Sequence, residues 1–395
     1  MYDFDKVIER SETNSVKYDL REFFFQDKDV IPMWVADMDF ETPEFIRDAI
    51  KKRAEHPIYG YSIKPESYFQ SIINWLKKRF TWDIEKKDIL FSPGVVPGFT
   101  LAIMAYTQPG DKVVTQPPVY FPFFQSVEDN GRELVYNQLI EKDNYYTIDF
   151  EDLDTKLSDP KAKVLLISSP HNPVGRVWHS EELEKMVTLC HKHDVLILTD
   201  EIHSDLVFKG SQHIPTASIS NTAKELCVTF MAPSKTFNMA GLSTSFLVIQ
   251  NEKLKKKYEE ILQAYHLGMG NVFGNEALEA AYNFGEDWLE ELNEYLSSNT
   301  NFVFNFLEKN IPEITFLKPE ATYLLWLNCK ELGLNEKELP AFFIKKAGLG
   351  LNNGTIFGPG GNGYMRMNVA CPLSTIKIAL GQLLQAIEQL RKDKR

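Results

Sequence analysis

Lys235 stands in Met231-Ala-Pro-Ser-Lys-Thr-Phe-Asn-Met-Ala-Gly241, a lone lysine among small and apolar neighbours. Burial disfavours an ammonium and lowers a lysine's pKa, so part of it becomes a neutral amine at working pH. A neutral amine attacks an aldehyde and forms a Schiff base. A turn lysine in solvent is the competing reading, and alone it would prevail, because most lysines are exposed. Lys235 does not stand alone. Asp200, Asn172 and the Gly94-Val95-Val96 turn suit a ring nitrogen, a phenolic oxygen and a phosphate. An aldehyde that carries those groups is pyridoxal phosphate (PLP), and the sequence predicts it as the cofactor.

Each residue has a plainer alternative. Backbone N–H groups of Gly94, Val95 and Val96 at a helix start would bind phosphate, but a strand–glycine–helix turn is common. Asp200 ends an apolar run. A carboxylate there would keep a pyridine nitrogen protonated and the ring electron-withdrawing, or it caps a helix. Asn172, in Asn-Pro-Val-Gly, would donate to the phenolic oxygen, or it is a turn asparagine before proline. Tyr120 stacks on the ring or sits in the core. Arg366, in Gly363-Tyr-Met-Arg-Met-Asn-Val-Ala-Cys-Pro372, is flanked by apolar residues. A buried guanidinium needs an anion. An amino-acid carboxylate, bound bidentately, meets that need, and so does a structural Asp or Glu. Gly358-Pro-Gly-Gly-Asn-Gly363 matches neither a P-loop nor a dinucleotide fingerprint and reads as a mobile loop near the site.

The elements around these residues alternate. Strands are expected at residues 89–91, 112–115, 163–168, 195–199 and 226–230, each an apolar run closed by proline, serine, aspartate or small residues. Helices are expected from Glu44, with Thr42 as cap, over 99–106, and after Ser180, with Ser180 as cap. Strands that are apolar throughout indicate a mostly parallel sheet covered by helices on both faces. Ligands of such sheets collect at the strands' carboxyl ends, where Asn172, Asp200 and Lys235 all fall. The apolar spacing from Trp288 to Leu307 predicts one long helix, with a break allowed, and residues 322–327 a strand of a second domain. The fold class is therefore α/β, a large domain over 46–286 and a smaller α+β domain from both termini, 1–45 and 287–395.

Composition removes several classes of function. The 395 residues carry a net charge of −12, against general nucleic-acid or anionic-membrane binding. The one basic cluster, Lys253-Leu-Lys-Lys-Lys257, fits a solvated helix face. Cys190, Cys227, Cys329 and Cys371 are dispersed, which suits reduced buried thiols in a cytoplasm better than disulfides or a metal site. No apolar run is long enough to span a bilayer, and the N-terminus has no apolar signal core.

Taken together, Gly94-Val95-Val96, Pro118-Val-Tyr120, Asn172-Pro-Val-Gly175, Asp200-Glu-Ile-His203, Ser234-Lys-Thr-Phe-Asn238 and Arg366 resemble the fold-type I PLP enzymes, the aspartate aminotransferase-like superfamily. The resemblance runs along nearly the whole chain. Asn14-Ser-Val-Lys-Tyr-Asp19, Pro32-Met-Trp-Val-Ala-Asp-Met-Asp-Phe40 and Tyr59-Gly-Tyr61 are similar to the cystathionine β-lyase-like C–S lyases of the MalY/PatB type. His203 stands where most aminotransferases carry tyrosine. Ser243 stands where they carry a phosphate-binding arginine, eight residues after the lysine. The resemblance implies a lyase of sulfur amino acids, with an aminotransferase as the alternative, or a lyase that also binds a regulator. It implies a homodimer in which Tyr61 reaches the partner's cofactor and substrate. It places Ser234, His203 and the Gly94 turn on the cofactor, and Arg366, Ala36 and Trp34 on the substrate.

Overall fold

In the computed structural model, which describes residues 2–394, the apolar runs become strands β1 (Ile89–Ser92), β2 (Lys112–Thr115), β3 (Glu133–Tyr136), β4 (Ala162–Ser168), β5 (Leu196–Asp200), β6 (Cys227–Met231) and β7 (Ser245–Val248). They form one seven-stranded sheet in the order β1-β7-β6-β5-β4-β2-β3. Only β7 runs against its neighbours, antiparallel to β1 and β6. Successive strand residues point to opposite faces and feed two cores. Val164 and Leu166 pack with Phe99 and Ile103 of helix Val95–Tyr106. Leu165 and Ile167 join Leu183 and Met186 of helix Ser180–Lys192 on the other face. Because both faces are covered, the strands carry no polar face, and this is why they read as unbroken apolar runs.

Helix Glu286–Asn310 runs 25 residues without a break. Trp288, Leu289, Leu292, Leu296, Val303 and Leu307 form its buried stripe, and no glycine or proline interrupts it. Beyond it, β8 (Leu324–Asn328), β9 (Asn352–Asn353) and β10 (Tyr364–Asn368) make an antiparallel sheet in the order β8-β10-β9. The N-terminal segment packs against this part. Ile31–Pro32 pairs in parallel with Leu349–Gly350, and the Phe4 ring lies 5.7 Å from Trp288 and 5.4 Å from Tyr295.

Three local expectations are corrected. The helix expected at 99–106 begins at Val95, so Val95 and Val96 lie inside its first turn. Thr42 is not a cap. Pro43 holds that position, and the Thr42 hydroxyl donates instead to the Asn238 carbonyl at 2.7 Å. Ser180 is the first helical residue, and His179 is the cap, its N–H bound by Glu182 Oε2 at 2.9 Å. Elsewhere, Leu254 and Tyr258 turn inward from the basic run on helix Glu252–Ala264. All four cysteines are buried and unpaired. Among the described residues no helix is long and apolar enough to cross a membrane.

Leu296 is fully enclosed in the stripe of the long helix. Leu296→Ala should destabilise the fold by about 2–5 kcal/mol through lost burial and a residual cavity. Guanidinium denaturation followed by circular dichroism would measure this, with the exposed Leu317 as a control whose truncation changes little.

Candidate active site

The parallel strands β2, β4, β5 and β6 present their carboxyl ends at one edge of the sheet, and β1 ends there too. Asp200 is the last residue of β5, and Lys235 follows β6 on the short helix Pro233–Thr236. Asn172 and Tyr120 lie in the segments after β4 and β2. All four line one cavity of about 190 Å³, together with His203, Ser234, Ala36 and the Gly94-Val95-Val96 turn. Of the residues singled out from sequence, Arg366 and Trp34 stand outside this lining, Arg366 joined to it through Asn172 Oδ1 at 3.0 Å, and Tyr61 is not brought there within one chain. It is 97% exposed. The Trp34 carbonyl meets Arg366 at 2.9 Å, while its indole N–H donates to the Lys17 carbonyl at 3.1 Å and its ring lies 4.5 Å from Phe24.

The charged groups of the cavity lack ordinary partners. Burial pulls the Lys235 amine down to about 8, with Asp37 opposing the shift. Its Nζ donates to the Ala36 carbonyl at 2.5 Å. Burial pushes the Asp200 carboxyl up to about 7. Asp200 Oδ1 accepts the Ile202 amide at 3.1 Å within a turn, with no helix there for it to cap, and among the described residues no donor reaches Oδ2. Burial holds His203 down at about 3, so it is neutral, and its Nδ1 has no hydrogen-bond partner. Behind Asp200, the buried Glu201 is occupied by His213 at 2.9 Å, Thr199 at 3.0 Å and the Thr216 amide at 2.9 Å.

At the opposite end the chain turns through Gly94 into helix Val95–Tyr106. Gly94 has φ +154°, and a Cβ there would meet Pro97 Cδ at 3.3 Å. Glycine is therefore needed at this turn. Gly98 N–H returns to the Gly94 carbonyl, and Pro97 has no N–H, which leaves the amides of Val95 and Val96 as the free donors of the first turn.

Arg366 lies on the middle strand of the small sheet, opposite Trp326 and Asn352. Its guanidinium donates to Asn172 Oδ1 at 3.0 Å, to the Trp34 carbonyl at 2.9 Å and to Asn352 Oδ1 at 2.7 Å. Its Nε is buried without a partner. Among the described residues no carboxylate is its partner, so the structural salt bridge is not formed there, and burial lowers it to about 10. Phe357, next to the glycine-rich loop, lies under the guanidinium at 4.8 Å. That loop closes on itself through Gly361 N–H to the Gly358 carbonyl at 3.1 Å.

Several residues that sequence reasoning passed over hold the segment 34–40 against the cavity. Asn368 Nδ2 donates to the Val35 and Asp37 carbonyls at 2.6 and 2.7 Å. Tyr323 donates to the Ala36 carbonyl at 2.9 Å. Asn238 Nδ2 donates to the carbonyls of Met38 and Phe40 at 3.0 and 2.7 Å. Arg10 pairs with Asp37 and Asp39 at 2.6 Å each, and the buried Lys17 bonds Asp39 at 2.9 Å. The two asparagines lie beside residues that were noticed, Arg366 and Lys235, but asparagine near a turn carries no signal of its own.

The donor set fits a phosphorylated pyridine aldehyde. A buried carboxylate without a cation, an amine drawn toward its neutral form, a free amide end on Asn172 and two helix-start amides match its groups. A search of known proteins gives the same class. The model of the aminotransferase class I and II family matches residues 28–383. The chain belongs to that family and has its aspartate aminotransferase-like PLP fold. Within it, the chain is 45% identical to cystathionine β-lyase PatB of Bacillus subtilis, over 97% of this chain and 99% of the relative. It is 30% identical to protein MalY of Escherichia coli, over 99% and 100%. The crystal structure of cystalysin from Treponema denticola, which contains pyridoxal 5′-phosphate, superposes with a TM-score of 0.96 at 37% identity, over 99% and 100% of the two chains.

With Lys235 drawn down to about 8, its amine is protonated below that pH and neutral above it. In cofactor-free protein, acylation of Lys235 should rise with a midpoint near that pH, whereas exposed lysines should keep climbing toward about 10.4. Peptide mass spectrometry after brief labelling across pH 6–11 would resolve the two.

Proposed function

We propose that this protein is a PLP-dependent carbon–sulfur β-lyase that cleaves L-cystathionine or a related L-cysteine thioether to a thiol, pyruvate and ammonia. One observation carries the reading: Arg366 is a buried guanidinium with no carboxylate partner, linked through Asn172 to the cavity of Lys235 and Asp200. The 45% identity to a cystathionine β-lyase supports the choice of substrate.

When bound, the cofactor supplies an aldehyde and an electron-withdrawing ring. Lys235 anchors the aldehyde through its amine. In its neutral form the Lys235 amine would also be the base that takes the substrate's Cα proton. Asp200 holds a proton on the ring nitrogen, and neutral His203 stands beside it without adding charge. Asn172 donates from Nδ2 to the phenolic oxygen, because its Oδ1 is already held by Arg366. Tyr120 packs against the ring. Gly94, Val95, Val96 and Ser234 hold the phosphate, with Tyr61 of the partner subunit. Arg366 binds the substrate carboxylate bidentately, aided by the Ala36 main chain, and Trp34 borders this end. The thiolate then leaves Cβ, and one water completes the release of pyruvate and ammonia.

The reading extends to assembly and place. The protein is a homodimer with shared sites, and it works in the cytoplasm, which its unpaired buried cysteines suit. Ile58, Tyr59, Tyr61 and Ile63 are 66%, 57%, 97% and 85% exposed, an apolar strip that one chain leaves uncovered. The large domain covers 46–286, which contains β1 to β7, and the small one 1–45 and 287–395, which contains β8 to β10.

With L-cystathionine and no added keto acid, pyruvate and thiol should form in equal amounts. Need for a keto-acid acceptor, without pyruvate, would replace the lyase with an aminotransferase. Arg366→Ala should lose about 1.5–3 kcal/mol or more of transition-state binding, read in kcat/KM, because a charge-assisted contact is gone.

Tyr61→Phe should weaken cofactor retention while the fold and the dimer persist. Sedimentation and the visible absorbance of the purified variant check both, and a fully active monomer would rule out the shared site.

A further inference from the structure

The phosphate end of the cavity holds an unexplained pair of hydroxyls. Lys235 is the only lysine or arginine among the cavity's lining residues. A phosphate there depends on neutral donors, so each one matters. Thr244 lines this end, is 3% exposed, and its Oγ1 is buried without a hydrogen-bond partner. Strand register places it. Ser245 pairs with Ser92, so Thr244 lies opposite Pro93, immediately beside the Gly94 turn and the free amides of Val95 and Val96. Asp200 and its ring-nitrogen position belong to the other end of the cavity.

The second hydroxyl is Tyr68 Oη, on helix Glu66–Phe80. It is 1% exposed and also without a partner. The side chain it faces is Thr244. An unpaired buried hydroxyl costs about 1–3 kcal/mol, and with Tyr68 donating to Thr244 the Thr244 proton is the donor left over, which calls for an acceptor beyond the pair. A threonine hydroxyl accepts one hydrogen bond while donating another. A phosphate oxygen beside Thr244 satisfies both groups at once.

We propose that Thr244 is a cofactor-phosphate ligand of this chain, donating to a phosphate oxygen while accepting from Tyr68, which positions it. This relay rests on the PLP reading above. It offers a neutral donor next to Ser243, where aminotransferases carry arginine. It also links the cradle to the helix that starts just after Tyr61, so the phosphate is gripped from β7 and from that helix as well as from the helix at Val95.

The full chain, freed of cofactor and titrated with PLP or with pyridoxal, which lacks the phosphate, provides the test. Thr244→Val keeps the shape and removes the hydroxyl. Its dissociation constant for PLP should rise about tenfold to a hundredfold, the range of one charge-assisted hydrogen bond. Tyr68→Phe should raise it by about two- to tenfold, and Thr244→Ser should restore wild-type affinity. Pyridoxal affinity should be the same in all four proteins. Thr244→Ala and Tyr68→Phe carry the same comparison if Thr244→Val does not fold by circular dichroism. Unchanged PLP affinity in Thr244→Val, or an equal loss for pyridoxal, overturns the relay while wild-type PLP binding leaves the enzyme reading intact. Absence of PLP binding by the wild type would overturn that reading and the relay with it.

Discussion

Ionisable groups held out of water without counter-ions are the constraint around which this molecule is arranged. Withdrawing an ion from water costs several kcal/mol even after the protein relaxes. Asp200, Lys235 and Arg366 each show that strain as a pKa displaced toward the neutral form. The sheet makes it tolerable. Strands enclosed on both faces supply apolar burial that carries the cost, and their carboxyl ends leave backbone free to hold what the side chains cannot. A ligand that fits must bring a proton donor to Asp200, a carbonyl to Lys235 and an anion to Arg366. Selectivity arises here from unmet need as much as from shape.

This explains which parts were legible in the sequence. Lys235, Asp200 and Asn172 follow apolar strands, and a polar residue after an unbroken apolar run is conspicuous. The parallel sheet was legible for the same reason, because burial on both faces leaves an apolar run, Val164 to Ile167 in β4 and Leu196 to Leu198 in β5. The unbroken helix Glu286–Asn310 could be read from its stripe. Arg366 was visible, but whether its partner was a protein carboxylate was not, since that depends on the fold bringing Asn172, Trp34 and Asn352 together.

What stayed illegible is held by contacts between distant segments. Asn238 and Asn368 bind the main chain of 35–40 across about 200 and about 330 positions, and nothing local marks an asparagine for that work. The caps at Thr42 and Ser180 were misplaced because each hydroxyl has a better partner elsewhere, the Asn238 carbonyl and Glu184. Thr244 looks like any loop threonine until the register of the adjoining β7 with β1 sets it beside Gly94. Tyr61 is the reverse: a motif marks it, and one chain alone gives it nothing to touch.

The segment 34–40 is gripped mostly by its carbonyls: Trp34 by Arg366, Val35 and Asp37 by Asn368, Ala36 by Lys235 and Tyr323, Met38 and Phe40 by Asn238. Carbonyls are common to every residue, so the grip reads position along the chain more than side-chain identity. Val35 and Ala36 can change type and keep those bonds. One residue inserted or deleted ahead of Asn238's partners would hand each donor the wrong carbonyl and turn Asp37 and Asp39 away from Arg10 and Lys17. Here the gene is held to a length, and spelling is secondary.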